Sequence, residues 1–116
     1  MTQQTSDECL FCRIVSGGIP ADLVAQNERA VAFRDINPAA PVHVLVVPRR
    51  HEPTVGALAA SSTDDLAAVF ALVAEVARLE SVTEHHRLMV NTGADAGQTV
   101  FHAHVHVLGG TTFTER

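Results

Sequence analysis

The sequence predicts an α+β domain, with about five strands in a mostly antiparallel sheet, one long helix and one short helix. Three segments carry that prediction. Val100–Leu108 alternates apolar and polar residues, the period of a half-buried strand. His43–Val47 is a short β-branched run stopped by Pro48, as expected of a central strand covered on both faces. Leu66, Val69, Phe70, Val73, Val76 and Ala77 recur at helical spacing, which predicts an amphipathic helix over Asp64–Glu80.

The remaining elements follow in order. Met1–Glu8 is polar and expected to be a flexible tail of a single domain spanning residues 1–116. Cys9–Ser16 has helical character, ended by Gly17-Gly18 with Pro20 just beyond. Leu23–Gln26 and Val31–Phe33 read as a hairpin joined by the polar turn Asn27-Glu28-Arg29. Asp35-Ile36-Asn37-Pro38 ends the second strand with turn chemistry. Ser62-Thr63 followed by Asp64-Asp65 starts the long helix, with carboxylates at the positive end of its dipole. Arg87–Asn91 is a further strand, and Thr92–Thr99 is a loop with glycines at Gly93 and Gly97. Such glycines let main-chain amides turn toward an anion, although a plain connection is an equally simple reading.

Composition excludes several function classes. With 47% hydrophobic and 18% charged residues, the chain is globular rather than disordered. Its formal net charge is −5 and only Arg49-Arg50 are adjacent bases, whereas a nucleic-acid binder needs a basic patch. No apolar stretch approaches the ~20 residues of a membrane span. Met1–Glu8 lacks the basic start and apolar run of a secretory signal, so a cytoplasmic protein without membrane or nucleic-acid partners is expected. In that compartment Cys9-x-x-Cys12 is a redox pair, half of a zinc site, or two buried thiols. The redox reading lacks the preceding strand of a thioredoxin-like unit.

The seven histidines are the unusual feature. His85-His86 near the end of the long helix read as surface residues. His102, His104 and His106 alternate with Ala103, Val105 and Val107, so a regular strand would point all three imidazoles to one face. A row of imidazoles suits a phosphate lying across it: one ring attacks phosphorus while another holds an oxygen or a proton. A polar sheet face or a simple metal site would use the same alternation.

His102-Ala-His104-Val-His106-Val-Leu resembles the histidine-triad (HIT) signature, and the surrounding chain looks like the Hint branch, the nucleoside phosphoramidate hydrolases. The resemblance runs from Cys9 to Gly110. It is carried also by Ala32-Phe33-Arg34-Asp35-Ile36, Ala40-Pro41-Val42-His43, Pro48-Arg49-Arg50-His51 and Gly97-Gln98-Thr99-Val100-Phe101. It implies a HIT-like fold and a catalytic set of His104, His106, His43 and Thr99. In that set His104 attacks the α-phosphorus, His106 holds a phosphate oxygen and shares protons with His43, and Thr99 stands where the branch usually has Ser to assist the leaving group. It further implies nucleotide contacts from Phe11, Asp35, Ile36, Asn91, Gly97, Gln98 and Thr99: Asp35 on ribose, Phe11 and Ile36 on a purine, and Asn91 and Gln98 on phosphate or ribose.

Bacterial Hint-like chains with this CxxC resemble the related uridylyltransferases, which implies a structural zinc held by Cys9, Cys12, His51 and His102. The branch also implies a homodimer and a purine nucleotide or nucleoside phosphoramidate as ligand. Two other functions share these residues: a dinucleoside polyphosphate hydrolase, and a zinc-stabilised nucleotide-binding module without catalysis. The segment after Gly110 lacks the Trp of the animal Hint pattern, and that segment helps select the leaving group in the family.

Overall fold

A computed structural model describes residues 9–114, so the expected flexible tail, residues 1–8, lies outside the described residues. The elements run α1 (Leu10–Val15), β1 (Leu23–Gln26), β2 (Ala30–Arg34), β3 (Val42–Pro48), α2 (Val55–Ser61), α3 (Thr63–Leu79), β4 (His86–Met89), a 3₁₀ turn (Ala94–Ala96) and β5 (Val105–Gly109). One open sheet has the order β1-β2-β3-β5-β4, with every neighbouring pair antiparallel. The expected α+β class and five strands are present.

Strand periodicity sorts the apolar residues into two cores. Val44 and Val46 of β3 and Val105 and Val107 of β5 join Val69, Leu72, Val73 and Val76 of α3 on one face. Leu45 and Val47 face the other way, with Val31 and Phe33, against Cys9 and Phe11. Strand β3 is thus apolar on both sides, which is why its sequence runs without alternation. His43 and His106 lie on the second face, because Leu45 is opposite His106 in the β3–β5 ladder and His43 is opposite Leu108.

Local chemistry explains the element ends. Asn27 Oδ1 accepts from the amides of Arg29 and Ala30 at 2.9 and 2.8 Å, closing the β1–β2 turn. Ser62 caps α3 by accepting from the Asp65 amide at 3.1 Å. Asp65 is itself buried, and Arg29 and Arg50 reach its carboxylate at 2.6 and 2.9 Å. The Arg29 hydrogen bond holds that carboxyl below its ordinary range. Among the described residues no helix is long and apolar enough to cross a membrane.

Three expectations need correction. Helix α2 was not foreseen: its sequence, Val-Gly-Ala-Leu-Ala-Ala-Ser, has only Leu58 buried, so no apolar stripe announces it. Thr54 starts it by accepting from the Ala57 amide at 3.1 Å. Strand β5 starts at Val105, not Val100, so only His106 of the triad lies in regular strand. Pro48 has no N–H to extend the ladder beyond Val46–Val105, and the Ala103 amide instead donates to Glu52 O at 2.7 Å. His86, read as a surface residue, is half-buried at the start of β4, and its Nδ1 donates to Val82 O at 2.8 Å, whereas His85 is exposed.

Candidate functional site

Residues from α1, β2, β3, the 90–104 loop and β5 form two adjoining sites on the second face of the sheet. The first is a cleft of about 570 Å³ lined by Phe11, Asp35, Ile36, Thr99, His104 and His106 among others. The second is a compact cluster of Cys9, Cys12, His51 and His102. Phe11 stands between them, with its ring centroid 5.2 Å from that of His104 and 6.1 Å from that of His102.

Hydrogen bonds fix which ring nitrogens in the cleft carry protons. His104 Nδ1 lies 2.7 Å from the His102 carbonyl oxygen. A carbonyl only accepts, so Nδ1 holds the hydrogen and Nε2 keeps a lone pair. His43 Nδ1 accepts from the Ala39 amide at 3.0 Å, which puts the His43 hydrogen on Nε2. That nitrogen donates to His106 Nδ1 at 2.9 Å, leaving His106 with its hydrogen on Nε2. The His104 and His106 rings are 5.0 Å apart between centroids. The cleft therefore holds, side by side, one imidazole lone pair and one imidazole N–H.

Burial favours the neutral form of both rings. It lowers the pKa of His104 from its ordinary value, against the opposing hydrogen bond to the His102 carbonyl and the Asp35 charge. It pushes His106 down to about 4, with the His104 and His43 rings adding to the effect. Asp35 lies beside this pair: its Oδ2 is 3.5 Å from His43 Nε2, and its Oδ1 accepts from the Asn37 amide at 2.8 Å.

The cluster is as closely ordered. His102 Nε2 donates to Pro48 O at 2.8 Å, so its Nδ1 presents a lone pair. That atom is 3.3 Å from Cys9 Sγ, 3.4 Å from Cys12 Sγ and 3.2 Å from His51 Nδ1, and Cys12 Sγ is 3.2 Å from His51 Nδ1. The four side chains lie close enough to hold one metal ion. Burial pushes His102 down to about 4, keeping it in the neutral form that ligation needs.

Of the residues singled out from sequence, the structure brings Phe11, Asp35, Ile36, Thr99, His104 and His106 to the cleft, with His43 behind His106. Ile36 is 91% exposed and forms an open rim. Asn91, Gly97 and Gln98 sit in the adjacent loop and do not line the cleft. Asn91 Nδ2 donates to Ala96 O at 2.8 Å. Gly97 takes a φ of +95°, a left-handed conformation that favours glycine. Gln98 is buried; its Oε1 accepts from the Gly93 amide at 2.9 Å and its Nε2 donates to Pro53 O and Val100 O at 2.7 and 3.0 Å. Three backbone groups that order the site, the Pro48 and His102 carbonyls and the Ala39 amide, have no side-chain signal by which sequence could reveal them.

The family model described as HIT domain matches residues 16–113. The chain is 39% identical over 106 residues to a purine nucleoside phosphoramidase of Escherichia coli, covering 90% of this chain and 89% of that protein. It is 38% identical over 103 residues to Protein HitA of Neisseria gonorrhoeae, covering 89% and 96% respectively. A HIT family hydrolase from Clostridium thermocellum superposes with a TM-score of 0.90 at 38% identity, covering 97% of this chain and 98% of that one.

Proposed function

The chain belongs to the HIT domain family, and from that premise we propose that it hydrolyses purine nucleoside phosphoramidates through a nucleotidyl-histidine intermediate on His104. One observation carries the reading: a bare His104 Nε2 beside a protonated His106 Nε2 at one cleft. The similarity to a purine nucleoside phosphoramidase supports the substrate class.

In the first step the His104 Nε2 lone pair forms a bond to the α-phosphorus as the phosphorus–nitrogen bond to the amine breaks. The leaving nitrogen takes a proton through the Thr99 hydroxyl, which regains one from water. The His106 Nε2–H holds a phosphate oxygen, and positive charge arising on the His104 ring is held by the His102 carbonyl on Nδ1. In the second step a water oxygen bonds to phosphorus and gives its proton to the hydroxide left by the first, the bond to Nε2 breaks with its electron pair returning to the ring, and the nucleoside monophosphate leaves with His104 neutral again. Phe11 and Ile36 offer apolar surface to the purine and Asp35 an acceptor to ribose. Asn91, Gly97 and Gln98 would serve phosphate by shaping the loop that carries Thr99.

The metal in this reading is zinc. Bonds of about 2.0–2.1 Å to nitrogen and 2.3 Å to sulfur put tetrahedral N···N pairs about 3.3 Å apart and N···S pairs about 3.5 Å apart. The 3.2 Å and 3.2–3.4 Å separations fit that scale. Four protein ligands leave no open position, so zinc would supply structure and no chemistry of its own. The reading includes a homodimer, since β4 is an edge strand bearing exposed Leu88 and Met89, with exposed Val90 next.

The test is mass spectrometry of protein quenched early in reaction with an adenosine phosphoramidate, wild type beside His104→Ala. We expect an AMP-sized adduct on the peptide containing His102–His106, absent from His104→Ala. Bound nucleotide without adduct or turnover in wild type would overturn the hydrolase and leave a binding module. Faster turnover of a dinucleoside polyphosphate would move the substrate class.

A further inference from the structure

We infer that the Ala39 backbone amide is a positioning group for the reaction, because it sets the direction in which hydrogen bonds run through His43 and His106 into the cleft. The inference rests on the proposed reading of His106 as the donor to phosphate.

Asp35, His43 and His106 bring one carboxylate oxygen and two ring nitrogens within 4.8 Å of one another. Such a trio can hold a shared proton or a divalent metal, and the residue types alone do not separate the two. The far side of His43 does. The Ala39 amide donates to His43 Nδ1 at 3.0 Å, and an amide cannot accept. Neutral His43 must then carry its hydrogen on Nε2, where it points at His106 Nδ1, 2.9 Å away. The Nε2 of His43 is thereby unavailable as a metal ligand, because ligation there would leave a hydrogen on Nδ1 facing the Ala39 N–H.

Reversing His43 would reverse the chain. With its hydrogen on Nδ1, His43 would offer a lone pair to His106, and His106 would move its own hydrogen to Nδ1 to meet it. The His106 Nε2 would then turn a lone pair toward the phosphate oxygens and repel them. The amide four residues ahead of His43 thus sets which ring nitrogen donates into the cleft, and Asp35 Oδ2, 3.5 Å from His43 Nε2, favours the same tautomer. Ala39 touches no substrate in this account; its methyl side chain has no part in it.

The experiment replaces Ala39 by lactic acid in the full chain through nonsense suppression, exchanging the amide N–H for an ester oxygen. Ring-nitrogen shifts of His43 and His106 are read by long-range proton–nitrogen correlation NMR, alongside steady-state kinetics with an adenosine phosphoramidate. In wild type, His43 and His106 are both expected with hydrogen on Nε2. In the ester chain His43 should populate the Nδ1–H form, with kcat down about tenfold, a modest share of what proton positioning contributes, and KM changed by less than about twofold. Unchanged tautomers and kcat in the ester chain would overturn the inference. So would a wild-type His43 protonated on Nδ1, and that spectrum decides the matter even if the ester chain fails to fold. The spectrum requires no turnover, so it fails or succeeds separately from the phosphoramidate reading.

Discussion

Two histidine clusters on the same face of the sheet use similar donors for different ends. Cys9, Cys12, His51 and His102 form one; Asp35, His43 and His106 form the other; each packs its ligand-type atoms within 4.8 Å. The decisive contrast lies on the far side of a ring. His102 gives its Nε2 hydrogen to the Pro48 carbonyl and turns a bare Nδ1 inward, as a metal ligand must. His43 receives a hydrogen at Nδ1 from the Ala39 amide and turns an N–H inward, as a proton donor must. A backbone acceptor in one case and a backbone donor in the other assign opposite roles to the same side chain. The two sites meet at the His102 peptide, whose ring belongs to the cluster and whose carbonyl holds His104.

The strongest way to break this comparison is to remove one of the four side chains that would hold the proposed zinc. Cys9→Ser is expected to abolish bound zinc, measured by elemental analysis. An ion held at a hundred to a thousand times its dissociation constant stabilises the fold by about 2.7–4.1 kcal/mol. The melting temperature in calorimetry should therefore fall by roughly 10–20 °C. A melting temperature within a few degrees of wild type, with the metal gone, would show the cluster to be an ornament of the fold. Zinc titration of the wild-type chain sharpens the contrast: the cysteine cluster should fill, and Asp35, His43 and His106 should take none.

An intermediate effect is expected in the other cluster. His106→Gln keeps a polar side chain in β5 but removes the imidazole donor, and kcat should fall by about 10²-fold. Zinc content should stay at the wild-type value, since His106 is not among those four side chains. Loss of zinc together with activity would mean that the clusters are one structural unit rather than two sites.

How much of this was legible depends on what kind of group carries the information. The β3 run and the Asn27 turn are written in side chains and appear where the sequence places them, and so does the α3 stripe except that Phe70 is exposed and Leu72 is buried instead. The triad alternation overstated the strand, because Pro48 in the neighbouring strand stops the ladder at Val105. Helix α2 has one buried residue and so no period to detect. The cysteine cluster needed the family resemblance, since Cys9 and Cys12 are 93 and 90 positions from His102 and only the fold brings them together. The tautomers could not be read at all. They depend on the Pro48 and His102 carbonyls and the Ala39 amide, and every residue but proline has both kinds of group.

The smallest effect is one of pH, and its sign follows from burial. An unfolded histidine takes up a proton near pH 6.5, whereas burial holds folded His106 neutral until about pH 4. As pH falls through that window the unfolded chain gains a proton that the folded chain refuses. His106 therefore contributes stability that is present above pH 6.5 and is lost as pH falls toward 4. The ring is half-buried, so solvent tempers the effect, and we expect the melting temperature to drop by a few degrees between pH 6.5 and 5 on its account. His106→Gln should flatten that part of the curve without changing melting at pH 8 relative to its own baseline. Activity gives the matching sign: burial lowers the pKa of both His104 and His106, so the acid limb of kcat/KM should be centred below the pH 6.5 of an ordinary imidazole. A steep acid limb centred near pH 6.5 would mean that the cleft histidines are not protected by burial, and the assignment of a standing lone pair to His104 would fall with it.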